Sequence, residues 1–198
     1  MQNSIARNDQ KKKMNKSELR KQIKEKGKFF FQNPHNKPDA SFIIGQKICA
    51  SSEFKNADVI FAFMPMIDEP NIGVIILEAF MSGKKVAVPK ILVEKGEMEF
   101  YWISSDEKMK EGPFGIYEPE GTTPVDMNNI ADGSLLIVPG VAFTKDGKRL
   151  GRGKGFYDRF MAKYKNKFSK MGICFDFQLI DDIPVYENDI KVDKVISA

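Results

Sequence analysis

Several short stretches of the chain are apolar almost without a break: VIFAF (59–63), KVAVP (85–89), LLIVP (135–139) and GICF (172–175). Runs of this length that lack polar alternation predict strands buried on both faces. EFYWI (99–103) and DKVIS (193–197) read as further strands. Between them the spacing changes to that of helices. KSELRKQIKEKGKFF (16–30) sets Leu19 and Ile23 one turn apart on an inner face. ASFIIGQKICASSEF (40–54) predicts a second helix, and NIGVIILEAFM (71–81) a third that stops at Gly83. A last helix is expected over 156–165. Strand-helix-strand order of this kind predicts a three-layer α/β/α domain over 16–198, Rossmann-like, with a mostly parallel sheet. Residues 1–15 are expected to form a flexible basic tail. Ligands of such sheets bind beyond the carboxyl ends of the strands. Residues 66–71 follow VIFAF and a glycine-rich loop follows LLIVP, so both point to one rim. The loop over 105–134 carries Pro113, Pro119 and Pro124 and is too long for a plain connector.

Composition narrows the chemistry. The 198 residues include 42% hydrophobic and 29% charged side chains, which suits one well-packed, water-soluble domain. No apolar run approaches the roughly 20 residues needed to span a bilayer, and MQNSIARNDQKKKMNK lacks the apolar core of a secretory signal. Cys49 and Cys174 show no metal or redox spacing, and together these features point to a cytoplasmic setting. The single histidine, His35, lies in the turn-like QNPHNKPD and reads as an exposed loop residue; a histidine triad would have to be built on it, and a multi-histidine metal site has no second histidine to use. Catalysis must rest on carboxylates, cations, backbone amides or a bound cofactor. The net charge of +4 owes much to Lys11, Lys12 and Lys13, and no sustained basic stripe with interleaved aromatics marks a nucleic-acid surface.

Outside the N-terminus, the densest cationic cluster coincides with glycines. In RLGRGKGFYD (149–158), Arg149, Arg152 and Lys154 are interleaved with Gly151, Gly153 and Gly155. Glycine lets the backbone approach an anion closely and leaves its N–H groups free to face it. The helix expected to begin near Gly155 adds the positive end of its dipole. Asp158, about one turn in, is placed where a magnesium ion on phosphates is usually held. A Walker loop needs Ser or Thr after Gly-Lys, and Lys154 is followed by Gly155. A dinucleotide fingerprint starting at Gly151 would need its third glycine at Phe156.

RLGRGKGFYD, preceded by PGVAF, resembles the signature of the 5-formyltetrahydrofolate cyclo-ligases, or methenyltetrahydrofolate synthetases. KSELR, MIDEPN, GIYEP (115–119) and VYENDIKVDKVI occur in that family's order, so the resemblance runs from about Lys16 to Ile196. It implies conversion of 5-formyltetrahydrofolate and ATP to 5,10-methenyltetrahydrofolate, ADP and phosphate with Mg²⁺. It also implies ATP contacts at Lys16, Arg20 and the loop Arg149, Leu150, Gly151, Arg152, Gly153, Lys154, Gly155, Phe156 and Tyr157. Arg152 to Phe156 would border the folate as well. Met66 and Asn71 match substrate positions, while Trp102 and Tyr117 are rings that either pack on the pterin or belong to the core. Asp158 and Asp189 match the metal carboxylates, and Arg149, Arg152 and Lys154 are the expected catalytic cations. Two residues depart from the family's pattern. Asn71 stands where a carboxylate is common, and Phe156 where the first of two tyrosines is common. A monomer is expected, with no nucleic-acid or membrane partner. The alternatives are another small-molecule ATP-dependent enzyme on this scaffold and a non-catalytic nucleotide- or folate-binding module.

Overall fold

The computed structural model describes residues 14–121 and 123–198, so Lys11 to Lys13 and most of the expected basic tail lie outside the described residues. Helix α1 (Lys16–Phe30) starts where a capping box dictates. The Asn15 side chain accepts from the Ser17 and Glu18 N–H groups, and the Glu18 carboxylate accepts the Asn15 N–H. The second helical stretch is broken in two, α2 (Asn36–Cys49) and α3 (Ser52–Asn56). Ser51 causes the break: its hydroxyl accepts the Phe54 N–H and so caps a new helix.

Six strands form the central sheet in the order β10-β9-β6-β1-β2-β3, comprising β1 (Val59–Phe61), β2 (Lys85–Leu92), β3 (Glu97–Ile103), β6 (Ser134–Val138), β9 (Phe168–Cys174) and β10 (Lys194–Ser197). Five run parallel. Strand β3 is the exception, because the short turn after Leu92 folds it back on β2 as an antiparallel edge. Alternate side chains of the inner strands enter two cores. Ile60, Leu135 and Ile137 pack under α2 and α4 (Gly73–Met81), whereas Phe61, Leu136 and Val138 pack under α5 (Phe156–Lys163). Each such side chain, fully buried here, contributes about 2 kcal/mol relative to exposure. The expected three layers are therefore present, and among the described residues no helix is long and apolar enough to cross a membrane.

Two small hairpins sit on the carboxyl rim. The long loop over 105–134 folds partly into β4 (Met109–Glu111) and β5 (Tyr117–Pro119), and the segment before the glycine loop into β7 (Ala142–Phe143) and β8 (Arg149–Leu150). Ala142 and Leu150 of the second hairpin meet Leu19 and Ile23 of α1, which seats α1 beside the glycine loop. At the tip of that hairpin Gly147 has φ +86, and its carbonyl accepts the Val192 N–H at 3.0 Å. The chain leaves β1 toward α4 and β2, but leaves β6 toward α5 and β9 on the opposite side. The divergence opens a crevice between the two loops, the usual binding position in a sheet of this class.

Candidate active site

That crevice is a cavity of about 540 Å³. From the segment after β1 come Phe63, Met64, Met66 and Glu69, and from the loop after β6 come Pro139 and Gly140. The glycine loop closes one side. Gly153 (φ +97) and Gly155 (φ +70) take left-handed backbone angles that a side chain would resist, and Gly155 is the N-cap of α5. Lys16 and Arg20 of α1, one turn apart, reach the same space, and Arg20 Nε donates to the Gly151 carbonyl at 2.9 Å. Met66, Ile91, Phe114, Ile116 and Phe156 give the cavity an apolar wall.

Most cations of the cavity already hold a carboxylate. Lys16 donates to Asp189 at 2.6 Å, Arg149 to Asp158 at 2.7 Å, and Arg152 to Asp68 at 2.6 Å and Glu69 at 3.1 Å. Lys154 differs, since its ammonium lies 5.6 Å from the centre of the Phe114 ring. Glu69 is 6% exposed; burial pushes its carboxyl above the ordinary range, opposed by the Arg152 guanidinium and the Met66 N–H it accepts. Two buried donors in this wall, Arg149 Nε and the Tyr157 hydroxyl, have no hydrogen-bond partner. Burial, with Glu69 nearby, also raises the Tyr157 hydroxyl well beyond its ordinary range, so it stays a neutral phenol.

Asp158 and Asp189 both line the cavity, and the N–H of Ile190, the residue after Asp189, donates to Asp158 Oδ1 at 3.2 Å. Among the described residues no cluster of three His, Cys, Asp or Glu forms a self-sufficient metal cage. Magnesium needs none: one or two carboxylates suffice when phosphate oxygens and water complete the shell. As hard oxygen donors lining the cavity next to its cations, the pair fits that role.

Four expected contacts lie elsewhere. Asn71 is exposed outside the cavity, where its side chain accepts the Gly73 N–H at 2.7 Å at the start of α4. Trp102 lines a separate depression with Ser82, Gly83 and Asp126, near the amino end of β1, and Lys85 lies over its ring. Tyr117 points outward, 54% exposed, because alternation along β5 turns Glu118 inward onto the Ile91 N–H. The Leu150 side chain is buried against α1, and its carbonyl accepts the Val141 N–H. Conversely, Glu69, Phe114 and Ile91 enter the cavity without having been singled out. Glu69 carried a signal, as a carboxylate just beyond an apolar strand. Phe114 did not, since its place depends on a left-handed backbone (φ +62) in the turn between β4 and β5.

The arrangement defines a class: an α/β protein with a cationic glycine loop at the crevice of a mostly parallel sheet. Comparison with known proteins makes the class specific. Residues 12–198 match the 5-formyltetrahydrofolate cyclo-ligase family. A mouse 5-formyltetrahydrofolate cyclo-ligase is 33% identical over 164 residues, covering 79% of this chain and 81% of the relative. The solution structure of Aquifex aeolicus 5,10-methenyltetrahydrofolate synthetase superposes with a TM-score of 0.77 at 30% identity, over 93% of this chain and 90% of the other. A Mycoplasma pneumoniae 5,10-methenyltetrahydrofolate synthetase, 24% identical, shares the fold with a TM-score of 0.72 over 92% and 98%. The chain belongs to the 5-formyltetrahydrofolate cyclo-ligase family, and is an enzyme of that kind.

Proposed function

We propose that the cavity binds ATP at its cationic end and 5-formyltetrahydrofolate at its apolar end, and transfers the γ-phosphoryl group between them. The observation that carries this reading is the convergence of Lys16, Arg20, Arg149, Arg152 and Lys154 on one glycine loop, directly beside an apolar wall. An N-formyl group is amide-like and a poor electrophile. Phosphorylation of its oxygen forms an O–P bond, breaks the bond from Pγ to the β-phosphate oxygen and releases ADP. The folate N10 lone pair then attacks the formyl carbon, and the C–O bond breaks to expel phosphate. N10 gives up its proton, leaving the amidinium of 5,10-methenyltetrahydrofolate.

The chain's contribution is positioning and charge. Lys16 and Arg149 exchange their carboxylates for phosphate oxygens, and Asp158 and Asp189 are left as hard oxygen donors. A magnesium ion on those two carboxylates would neutralise charge on the transferring group. Arg152 shifts from Asp68 and Glu69 to the nucleotide. This frees a buried carboxylate oxygen of Glu69 for the N–H edge of the pterin, a role for which Asn71 is in the wrong place. Phe114 and Phe156, with centroids 6.4 Å apart, offer ring faces to the folate. Two free thiols, one of them Cys174 pushed up to about 12 by burial, accord with a cytoplasmic setting.

The test is direct. Protein mixed with 5-formyltetrahydrofolate, ATP and Mg²⁺ should develop the methenyl chromophore, and EDTA should abolish it. Absence of any ATP-dependent signal would remove the reading. Lys154→Ala should raise the barrier by about 3 kcal/mol, or lower turnover about 10²-fold.

A further inference from the structure

We propose that Arg159 is a positioning residue that fixes the peptide between Lys154 and Gly155, so that the loop keeps an N–H aimed at the nucleotide phosphates. The inference rests on the nucleotide reading given above. Arg159 occupies the first turn of α5, at the positive end of the helix dipole, where a cation is disfavoured. Its guanidinium goes to main-chain carbonyls rather than to a carboxylate. Nη2 donates to the Lys154 carbonyl at 2.9 Å and also to the Gly96 carbonyl, and Nε donates to the Gly96 carbonyl at 2.9 Å. The same group lies 5.4 Å from the Phe156 ring centre. A side chain on Gly155 would meet Nη1 at 2.6 Å, so the guanidinium fits closely under the loop.

The consequence follows from peptide geometry. The Lys154 carbonyl and the Gly155 N–H belong to one planar trans peptide and point in opposite directions. With the carbonyl held by Arg159, the N–H is turned away from Arg159. Gly155 lines the cavity, as the N-cap residue of a helix start suited to anions. The second carbonyl, that of Gly96, is in the turn between β2 and β3, the hairpin whose Pro89 and Ile91 line the same cavity. Arg159 thus ties the loop to that wall from outside the substrate space.

Calorimetric titration of ADP and steady-state kinetics test the assignment. Arg159→Ala should weaken ADP binding and raise the KM for ATP by about tenfold, the scale of one lost charge-assisted hydrogen bond, while the KM for 5-formyltetrahydrofolate stays within about twofold. Added guanidinium, well below denaturing concentrations, should restore part of the ADP affinity; a general loss of structure would only worsen. Arg159→Lys, which reaches one carbonyl but not both, should fall between, and decides the matter if the alanine variant does not fold. Wild-type protein that fails to bind ADP or ATP would overturn the nucleotide reading itself. Wild-type binding with unchanged affinity in Arg159→Lys and Arg159→Ala, or an equal loss for both substrates, would overturn the role of Arg159 alone.

Discussion

Replacing Arg149 with methionine separates the structural from the chemical part of the cavity. The Arg149 side chain is 5% exposed and donates to Asp158 at 2.7 Å; Met fills similar volume but leaves that carboxylate without its cation. Breaking a fully buried pair costs about 3–5 kcal/mol. Here Asp158 is 20% exposed, borders an open cavity and keeps the Ile190 N–H, so a loss of about 2 kcal/mol is expected. Adding Asp158→Asn removes the stranded charge, and should return most of that loss in urea unfolding. Turnover behaves differently. It should fall about 10²-fold in the single variant, because an electrostatic partner of the transferring group is gone, and the second change cannot restore it. Methenyl formation by purified variants, followed beside unfolding curves, gives both numbers. Near-normal turnover in Arg149→Met, or a double variant no more stable than the single, would refute the reasoning.

Three further outcomes are expected. Gly147→Ala should destabilise the fold by about 3 kcal/mol in urea, since a Cβ there meets the Val192 carbonyl oxygen at 2.1 Å and the residue has φ +86. In the wild type, the raised Glu69 carboxyl binds its proton more tightly in the folded than in the unfolded chain. Its contribution is full below the ordinary value of 4.5 and is lost as pH rises through the folded value. Wild-type stability relative to Glu69→Gln should therefore decline between acidic and neutral pH, as unfolding curves across that range would reveal. Trp102→Phe should change the KM for 5-formyltetrahydrofolate by no more than about twofold, because the ring lies in a different depression; a larger effect would return it to the site.

The sheet was legible because VIFAF, LLIVP and GICF are too uniformly apolar to lie anywhere but between two layers. Its direction at β3 was not: EFYWI reads alike in either orientation, and only the short turn before it forces the hairpin. The division of α2 from α3 was written in Ser51, a capping residue concealed inside an otherwise helical stretch. In the cavity, the cation-glycine loop could be read from spacing, whereas Lys16 and Arg20 were indicated by the family resemblance and not by their spacing. The apolar end could not be read, because it is assembled from a β-hairpin within a long proline-bearing loop. That hairpin's alternation presents Ile116 and buries Glu118 while sending Tyr117 outward. Asn71 illustrates a related limit. Its side chain answers a local demand, the first free N–H of α4, before it can reach a ligand.

The pairing of cavity cations with carboxylates has a consequence for which anions the enzyme tolerates. A small free oxyanion that drew Lys16 or Arg149 away would leave Asp189 or Asp158 stripped of its counter-charge, and so gains little by entering. A guest that brings phosphate and its own divalent ion satisfies both halves of each pair at once. On the proposed nucleotide reading, the resting lattice of charges would act as a filter, favouring a metal-complexed triphosphate over bare anions.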